Sequence, residues 1–189
     1  MARPLSEEKR EAILTAAVDL VAAQGTGAPT AKIAKEAGFA EGTLFTYFAT
    51  KDDLLNELFL EIEAELAAAL LDDYPADGSP YERTRHIWSR LIDWGAANPA
   101  KRKTIRQLKV SDRVSEASRC RASGLFEEIV GRLEGNLAGH VSTEYDAAYV
   151  SAILDTLAET TLEFIMRYPD KREHYKRAGF DAFWRGIAR

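Results

Sequence analysis

The sequence predicts an all-α protein of about nine helices. Apolar residues recur every three or four positions through nearly all of the 189 residues, which is the period of an amphipathic helix. No segment alternates apolar and polar residues as a half-buried strand does. Glycine, proline and helix-capping residues interrupt the pattern at intervals that suit helices of ordinary length.

Composition narrows the classes of protein to which the chain can belong. With 46% hydrophobic residues, it can bury one sizeable core, or one core with a small appended module. No stretch approaches the ~18 consecutive apolar residues of a membrane span, and the N-terminal residues lack the apolar segment of a signal peptide. Cys120 is the single cysteine, so no internal disulfide forms and a cytoplasmic location is expected.

The first two helices are bounded by residues that start and stop helices. Ser6 is an expected N-cap, and the two glutamates after it complement the positive end of the first helix. Gln24-Gly25 ends that helix, because glycine readily adopts the left-handed conformation. Pro29-Thr30 then starts a short second helix, and Gly38 ends it.

A third, equally short helix is predicted over 41–47, directly after the turn at Gly38. Two short helices joined by a glycine-containing turn form the arrangement that places a helix in the DNA major groove. We therefore interpret residues 29–48 as a helix-turn-helix, with the helix 41–47 as its DNA-reading element.

A long helix is predicted over 51–72. Thr50 and Asp53 have the spacing of a capping box at its start. Its expected buried face consists of Leu54, Leu55, Leu58, Phe59, Ile62 and Leu66. Residues 72–80 are rich in Asp, Pro, Gly and Ser, and they predict the one clear linker in the chain.

Beyond this linker the pattern predicts five further helices, at about 81–97, 100–109, 113–138, 144–167 and 171–187. Asn98-Pro99 separates the first two of these. Gly139 with Thr143 separates the third from the fourth, and Pro169 marks the last joint.

A set of residues in and after the predicted helix-turn-helix has a distinctive order and spacing. Its members are Ile33-Ala34, Ala37-Gly38, Gly42-Thr43-Leu44-Phe45, Tyr47-Phe48, Lys51 and Leu54-Leu55. In this set the chain resembles the N-terminal domain of the TetR family of bacterial transcriptional regulators. The resemblance implies a DNA-binding domain at 1–51, joined through the long helix 51–72 to an effector-binding and dimerisation domain at 73–189.

The resemblance also implies which residues contact DNA. They are Thr30, Glu41, Gly42, Thr43, Phe45, Thr46, Tyr47 and Lys51. Threonine hydroxyls suit phosphates and their methyl groups suit thymine, while Tyr47 and Lys51 suit phosphate contacts. Ala40 and Phe45 depart from the family pattern, because the first lacks the usual capping side chain and the second replaces a commoner tyrosine. Glu41 has two open roles: it accepts from a cytosine amine, or it stabilises the helix start while repelling phosphate.

The distribution of charge predicts how DNA would be held. The net charge is −5, and basic and acidic side chains are equal in number within residues 1–51. A neutral DNA-binding domain on an acidic body needs positioned contacts from two copies rather than bulk attraction. We therefore expect a homodimer on a near-palindromic double-stranded operator.

The helices 144–167 and 171–187 are the expected dimer interface. The first is apolar around much of its circumference, with Val150 on one side and Tyr149 on another, so it must be covered on several sides. The second carries a stripe of small residues, Gly179, Ala182 and Gly186. Small residues permit the close approach of helices in a four-helix bundle. The alternative is that both helices are internal core helices of one subunit.

An effector pocket is implied in the C-terminal domain by the resemblance. Candidate lining residues are Ile87, Trp88, Leu91, Trp94, Phe126, Tyr149, Ile153 and Phe164. Such a lining suits an apolar or aromatic small molecule. Its binding would release a repressor from DNA by favouring one arrangement of the subunits. Ordinary core packing is the alternative for each of these side chains.

Other features of the chain leave alternatives open. The run 101–121 holds eight cations against two acidic residues and would attract an anionic effector, steer DNA or, as we favour, form a solvent-exposed face. Cys120 lies within this run and is expected to be buried and without function, although its arginine neighbours would also suit a redox-sensing thiol. No nucleophile–base pair, phosphate loop or metal-ligand cluster is evident, so we expect neither an enzyme nor a cofactor. A helical enzyme or a protein-interaction module without specific DNA binding is the alternative to a regulator.

Overall fold

The computed structural model describes residues 6–140 and 145–187, and every regular element in these ranges is helical. The α-helices are α1 (Glu7–Gln24), α2 (Thr30–Glu36), α3 (Glu41–Tyr47), α4 (Lys51–Leu71), α5 (Pro80–Ala97), α6 (Pro99–Lys109), α7 (Glu116–Leu137), α8 (Ala147–Arg167) and α9 (Arg172–Ile187). A turn of 3-10 helix, Pro169–Lys171, precedes α9. The predicted all-α class is confirmed, and no described helix is both long and apolar enough to cross a membrane.

Capping was predicted at two helix starts, and the prediction is confirmed for α4 and wrong for α1. The backbone N–H of Thr50 donates to the Asp53 carboxylate at 2.9 Å, and the N–H of Asp53 donates back to the Thr50 hydroxyl at 3.1 Å. This capping box fixes the start of α4. Ser6 precedes α1 as expected, but its side chain makes no capping hydrogen bond. The predicted break at Thr143 and helix start at 144 lie outside the described residues.

The start of α7 differs from the predicted position at 113. A backbone turn occupies this point, closed by a hydrogen bond from Val114 N–H to Ser111 O at 3.3 Å. The hydroxyl of Ser115 then accepts from the N–H of Ser118 at 3.2 Å. Because this bond satisfies a free N–H group of the first helical turn, α7 begins at Glu116.

Contacts between residues divide the chain into two compact units. The first comprises Met1–Ala64 and Asn98–Ser123, and the second comprises Glu65–Ala97 and Gly124–Arg189. The boundaries fall within α4, between α5 and α6, and within α7. The predicted boundaries at 51 and 73 separate regions of different function, and this division by function stays a prediction.

The first unit is built around the inward faces of its helices. Ile33, Leu44 and Phe48 are buried as predicted, while Ala37 is only partly so. The whole predicted face of α4 is buried, with Leu54, Leu55, Leu58, Phe59 and Ile62 in the first unit and Leu66 in the second. Helix α6 packs along α1, where the buried Thr104 hydroxyl donates to the carbonyl oxygen of Val18 at 2.8 Å. This bond satisfies a hydroxyl that would otherwise be costly to bury.

The second unit packs α5, α8, α9 and the later part of α7 around a shared apolar core. Its members include Trp88, Ile92, Leu133, Leu154, Leu162, Phe180 and Phe183. Helix α8 buries one side, with Val150 in the core, and leaves another side exposed. On the exposed side Tyr149 is 54% and Phe164 41% accessible to solvent. The apolar circumference predicted for this helix is therefore only partly covered within the second unit.

The stripe of small residues on α9 is divided between two uses. A Cβ atom on Gly179 would lie 2.7 Å from Cζ2 of Trp88 and would also overlap the hydroxyl of Thr161. Gly179 therefore permits the close approach of α9 to α5 and α8 inside the subunit. Ala182 and Gly186 are exposed, and a Cβ on Gly186 would meet nothing within 4 Å. The expectation that the whole stripe faces a second copy is wrong at Gly179.

Gly179→Ala is expected to destabilise the protein, whereas Gly186→Ala on the same helix is not. Overpacking against a rigid indole costs about 1–3 kcal/mol, and the gain in helix propensity returns at most about 1 kcal/mol. At Gly186 only the propensity gain applies, so that variant should be slightly more stable than the wild type. Urea unfolding midpoints measure both, and equal shifts in the same direction would contradict the packing described for Gly179.

Candidate nucleic-acid interface

The turn between α2 and α3 sets the direction of the third helix. Gly38 has φ +83°, a conformation that glycine adopts without strain. The N–H of Gly38 donates to Lys35 O at 3.1 Å, and the N–H of Phe39 donates to Ala34 O at 2.8 Å. These bonds satisfy carbonyl groups at the end of α2, as a glycine-terminated helix requires.

The predicted DNA contacts all belong to the first unit, and each keeps some exposed surface. Burial of Leu44 anchors α3 and leaves its other side outward. Four of the predicted residues are exposed, namely Glu41, Gly42, Phe45 and Thr46. The other four are partly exposed, namely Thr30, Thr43, Tyr47 and Lys51. None of the eight is buried, so each has surface that a ligand of this face can reach.

The start of α3 lacks a capping side chain, as Ala40 predicts. The Glu41 carboxylate instead accepts a hydrogen bond from the hydroxyl of Thr30 at 2.6 Å. This bond ties the starts of α2 and α3 together and joins two of the predicted DNA-contact residues. The hydroxyl of Thr46 donates to Gly42 O at 3.0 Å, a bond within α3 itself.

Tyr47 makes a contact that the sequence does not reveal. Its hydroxyl accepts a hydrogen bond from the backbone N–H of Ser6 at 3.0 Å. The phenol therefore holds the start of α1 beside the end of α3 while its own O–H proton stays available to donate. The two residues are 41 positions apart, so no local pattern could have predicted this pairing.

Lys51, at the start of α4, lies close to other charges. Burial and the nearby positive charge of Arg113 lower its pKa, and the neighbouring Asp52 acts in the opposite direction. The Arg113 guanidinium donates to the Asp52 carboxylate at 2.7 Å. The sequence pattern places Arg113 only within the basic run 101–121.

The basic run 101–121 is not one continuous cationic face. Lys109 forms an ion pair with Glu63 at 3.2 Å. Arg119 donates to the carbonyl oxygens of Lys109 and Ser111 at 2.7 and 2.8 Å. Cys120 is exposed, so the expectation of a buried cysteine is wrong. The error arises because α7 turns this position outward, which its immediate neighbours do not reveal.

The predicted effector-binding residues occupy three kinds of environment. Ile87, Trp88 and Trp94 are buried; Leu91, Phe126 and Ile153 are partly buried; Tyr149 and Phe164 are exposed. Trp88 lies in the apolar core, with Leu91 and Ile153 packed against it. The ring nitrogen of Trp94 donates to Glu65 at 3.0 Å. Their role in binding an effector stays a prediction.

A cleft of about 550 Å³ opens in the second unit between α5 and α9. Its walls are formed by Tyr81, Arg85, Trp88, Ser89, Glu173, Lys176, Arg177, Phe180 and Asp181. One end of Lys176 is fixed, because its ammonium group lies 2.7 Å from the Asp93 carboxylate. Of the eight predicted effector residues, Trp88 is at this cleft. The mixture of aromatic rings and charges that lines the cleft suits a ligand with a flat or apolar body and a charged group.

A helix-turn-helix within a small helical unit, followed by further helices, defines a class of DNA-binding regulators. Residues 13–58 match the sequence profile of the bacterial regulatory proteins of the tetR family. Over this segment the chain matches the family, and the resemblance found in its sequence is confirmed.

Similar proteins extend this comparison beyond the matched segment. A fatty acid metabolism regulator protein of Bacillus subtilis is 33% identical over 79 residues, 41% of this chain and 41% of its own. A structure assigned to the tetR family of transcription regulators, from Shewanella sp. PV-4, is 29% identical, with a TM-score of 0.84 over 96% of this chain and 98% of that one.

One further solved structure shares the fold. The transcriptional regulator FadR of Bacillus subtilis, in complex with stearoyl-CoA, is 20% identical, with a TM-score of 0.72 over 94% of this chain and 99% of that one. At this identity the likeness shows the fold alone. The chain spans about half the length of the curated relatives that it matches.

Proposed function

We propose that the protein is a ligand-responsive transcriptional regulator that represses by binding a near-palindromic operator as a homodimer. The proposal rests on the helix-turn-helix of α2 and α3, followed by the capped start of α4, in which none of the eight candidate contact residues is buried. On this proposal α3 lies in the major groove, while Thr30, Tyr47 and Lys51 contact phosphates and fix its orientation. The site of action is the bacterial cytoplasm, at the DNA.

Dimerisation through α8 and α9 supplies the second copy of α3. A neutral DNA-binding surface gains little from bulk attraction, so two linked copies are needed for useful affinity. The exposed aromatic residues Phe164 and Tyr168, with Tyr175 beside them, support this placement. The ring of Tyr175 is centred 5.3 Å from that of Phe164 and 6.0 Å from that of Tyr168. A second copy would remove this apolar surface from water.

The effector is proposed to be a small molecule with a large apolar or aromatic part. Two Bacillus subtilis proteins support this, because one is named a fatty acid metabolism regulator and the other was solved with stearoyl-CoA. In this chain the candidate lining residues are those predicted above. The cleft between α5 and α9 adds Arg85 and Arg177 as groups for an anionic end.

Fluorescence anisotropy on the intergenic DNA beside the protein's own coding region tests this function. Saturable, salt-sensitive binding with a two-subunit stoichiometry is expected, and it should be far weaker for a scrambled duplex of equal length. Native mass spectrometry of the purified protein would identify a retained effector, which should then reverse the binding. Turnover of a metabolite without DNA affinity would instead support an enzyme.

Glu41→Gln is expected to strengthen binding to operator and scrambled DNA by the same factor. The amide keeps an acceptor for the Thr30 hydroxyl but removes a negative charge beside the phosphates. Anisotropy titrations on both duplexes measure this. A loss confined to the operator would show that the carboxylate reads a base, the other role open for this residue.

A further inference from the structure

We propose that Arg113, in the loop between α6 and α7, is a phosphate-contacting residue of the DNA interface. This inference rests on the proposed function, and it adds a contact from outside the helix-turn-helix. Neither the resemblance nor the matched family segment at 13–58 includes this position.

The backbone of Arg113 is fixed against α4. The side-chain NH₂ group of Asn56 donates to Arg113 O at 2.9 Å, and the side-chain oxygen of Asn56 accepts from the N–H of Ser115 at 2.9 Å. The same amide donates to the carbonyl oxygen of Asp52 at 2.7 Å. The hydroxyl of Ser111 accepts from the N–H of Arg113 at 3.2 Å. A loop residue held by this many bonds presents its side chain from a defined point.

The side chain of Arg113 reaches the first turn of α4. Its Nη1 atom lies 2.7 Å from the Asp52 carboxylate, and the side chain is 45% exposed. Asp52 follows Lys51 directly, and Lys51 is a proposed phosphate contact. A guanidinium carries five N–H donors in a planar fork. After the bond to the Asp52 carboxylate, donors of Arg113 therefore remain for a second anion.

The electrostatics of this corner favour a bound anion. Burial and the charge of Arg113 lower the pKa of Lys51, so the two cations are close enough to repel each other. A phosphate oxygen between them would offset that repulsion and form charge-assisted hydrogen bonds with both. An exposed ion pair contributes little to stability by itself. The pair with Asp52 therefore does not by itself explain why the Arg113 side chain lies at this corner.

The salt dependence of DNA binding tests the role of Arg113. Each phosphate contact contributes about 0.9 to the slope of log affinity against log salt concentration on duplex DNA. In a dimer, Arg113→Ala should therefore lower the slope by roughly two, weakening operator and scrambled DNA alike. Arg113→Lys keeps the charge and should keep most of the slope. Arg121→Ala, another exposed arginine of the basic run, is the matched control and should leave the slope unchanged.

Two results would overturn the inference while leaving the proposed function intact. One is an unchanged slope for Arg113→Ala when Lys51→Ala lowers it. The other is a weaker affinity for Arg113→Ala with the wild-type slope, which would assign the residue to loop packing. A wild-type protein that binds no duplex saturably would overturn the proposed function, and this inference with it. Thermal unfolding of Arg113→Ala checks that the loop change does not unfold the first unit.

Discussion

Tyr47→Ala is expected to weaken binding to operator and scrambled DNA alike, by roughly a hundredfold or more. A hydrogen bond to a charged group contributes about 1.5–3 kcal/mol, and a dimer loses one from each subunit. Because the phosphate backbone is the same in every sequence, specificity should change little. Anisotropy titrations on both duplexes at one salt concentration measure the effect.

The hydroxyl of Tyr47 also accepts from Ser6 N–H, so an indirect effect through α1 must be separated from the DNA contact. Tyr47→Phe removes only the hydroxyl and should lose most of the same affinity. Ser6→Pro removes the N–H donor but keeps the phenol, and the φ of −80° at Ser6 is close to that of proline. We expect Ser6→Pro to bind DNA almost normally. Wild-type affinity in Tyr47→Ala would disprove the docking that we propose for α3.

Phe164→Glu is expected to convert the protein into a monomer and to abolish tight operator binding. Phe164 is 41% exposed on α8 beside Tyr168 and Tyr175, at the centre of the proposed dimer face. A carboxylate there would have to be desolvated in each subunit of a dimer, at a cost of several kcal/mol. Without the second copy the advantage of bivalent binding is lost, typically a hundredfold or more. Sedimentation equilibrium reports the association directly.

Leu125→Glu provides the matched control for this substitution. Leu125 is 39% exposed on α7, a helix outside the proposed α8 and α9 face, so the same charge should leave the dimer and its DNA affinity unchanged. If Phe164→Glu remained dimeric, the interface would lie elsewhere. If the leucine variant also dissociated, a general effect of added charge would explain both results.

Local patterns in the sequence were sufficient for the elements around the candidate DNA surface. The capping box of Thr50 and Asp53 is present, and the predicted apolar face of α4 is buried throughout. Gly38 adopts the left-handed conformation that ends α2. Each of these features depends on residues within a few positions of one another, so spacing along the chain determines it.

Contacts between positions far apart in the chain could not be predicted from such local patterns. The bonds of Asn56 to Arg113 and Ser115 join positions 57 and 59 apart. Gly179 looked like part of a stripe facing another subunit, yet it lies against Trp88 and Thr161 of its own chain. Helical spacing shows that small residues share a face, but not which helix that face meets.

Periodicity, caps and the glycine turn are local properties of the chain, and they were enough to predict the helical class, the helix-turn-helix and the family resemblance. The packing of the helices against one another was needed to show which aromatic side chains form the core and which remain at the surface. Trp88 is enclosed while Phe164 stays exposed, although both occupy apolar positions on amphipathic helices. Periodicity fixes where a side chain lies around its own helix axis, whereas burial depends on a neighbouring helix that the chain supplies from far away.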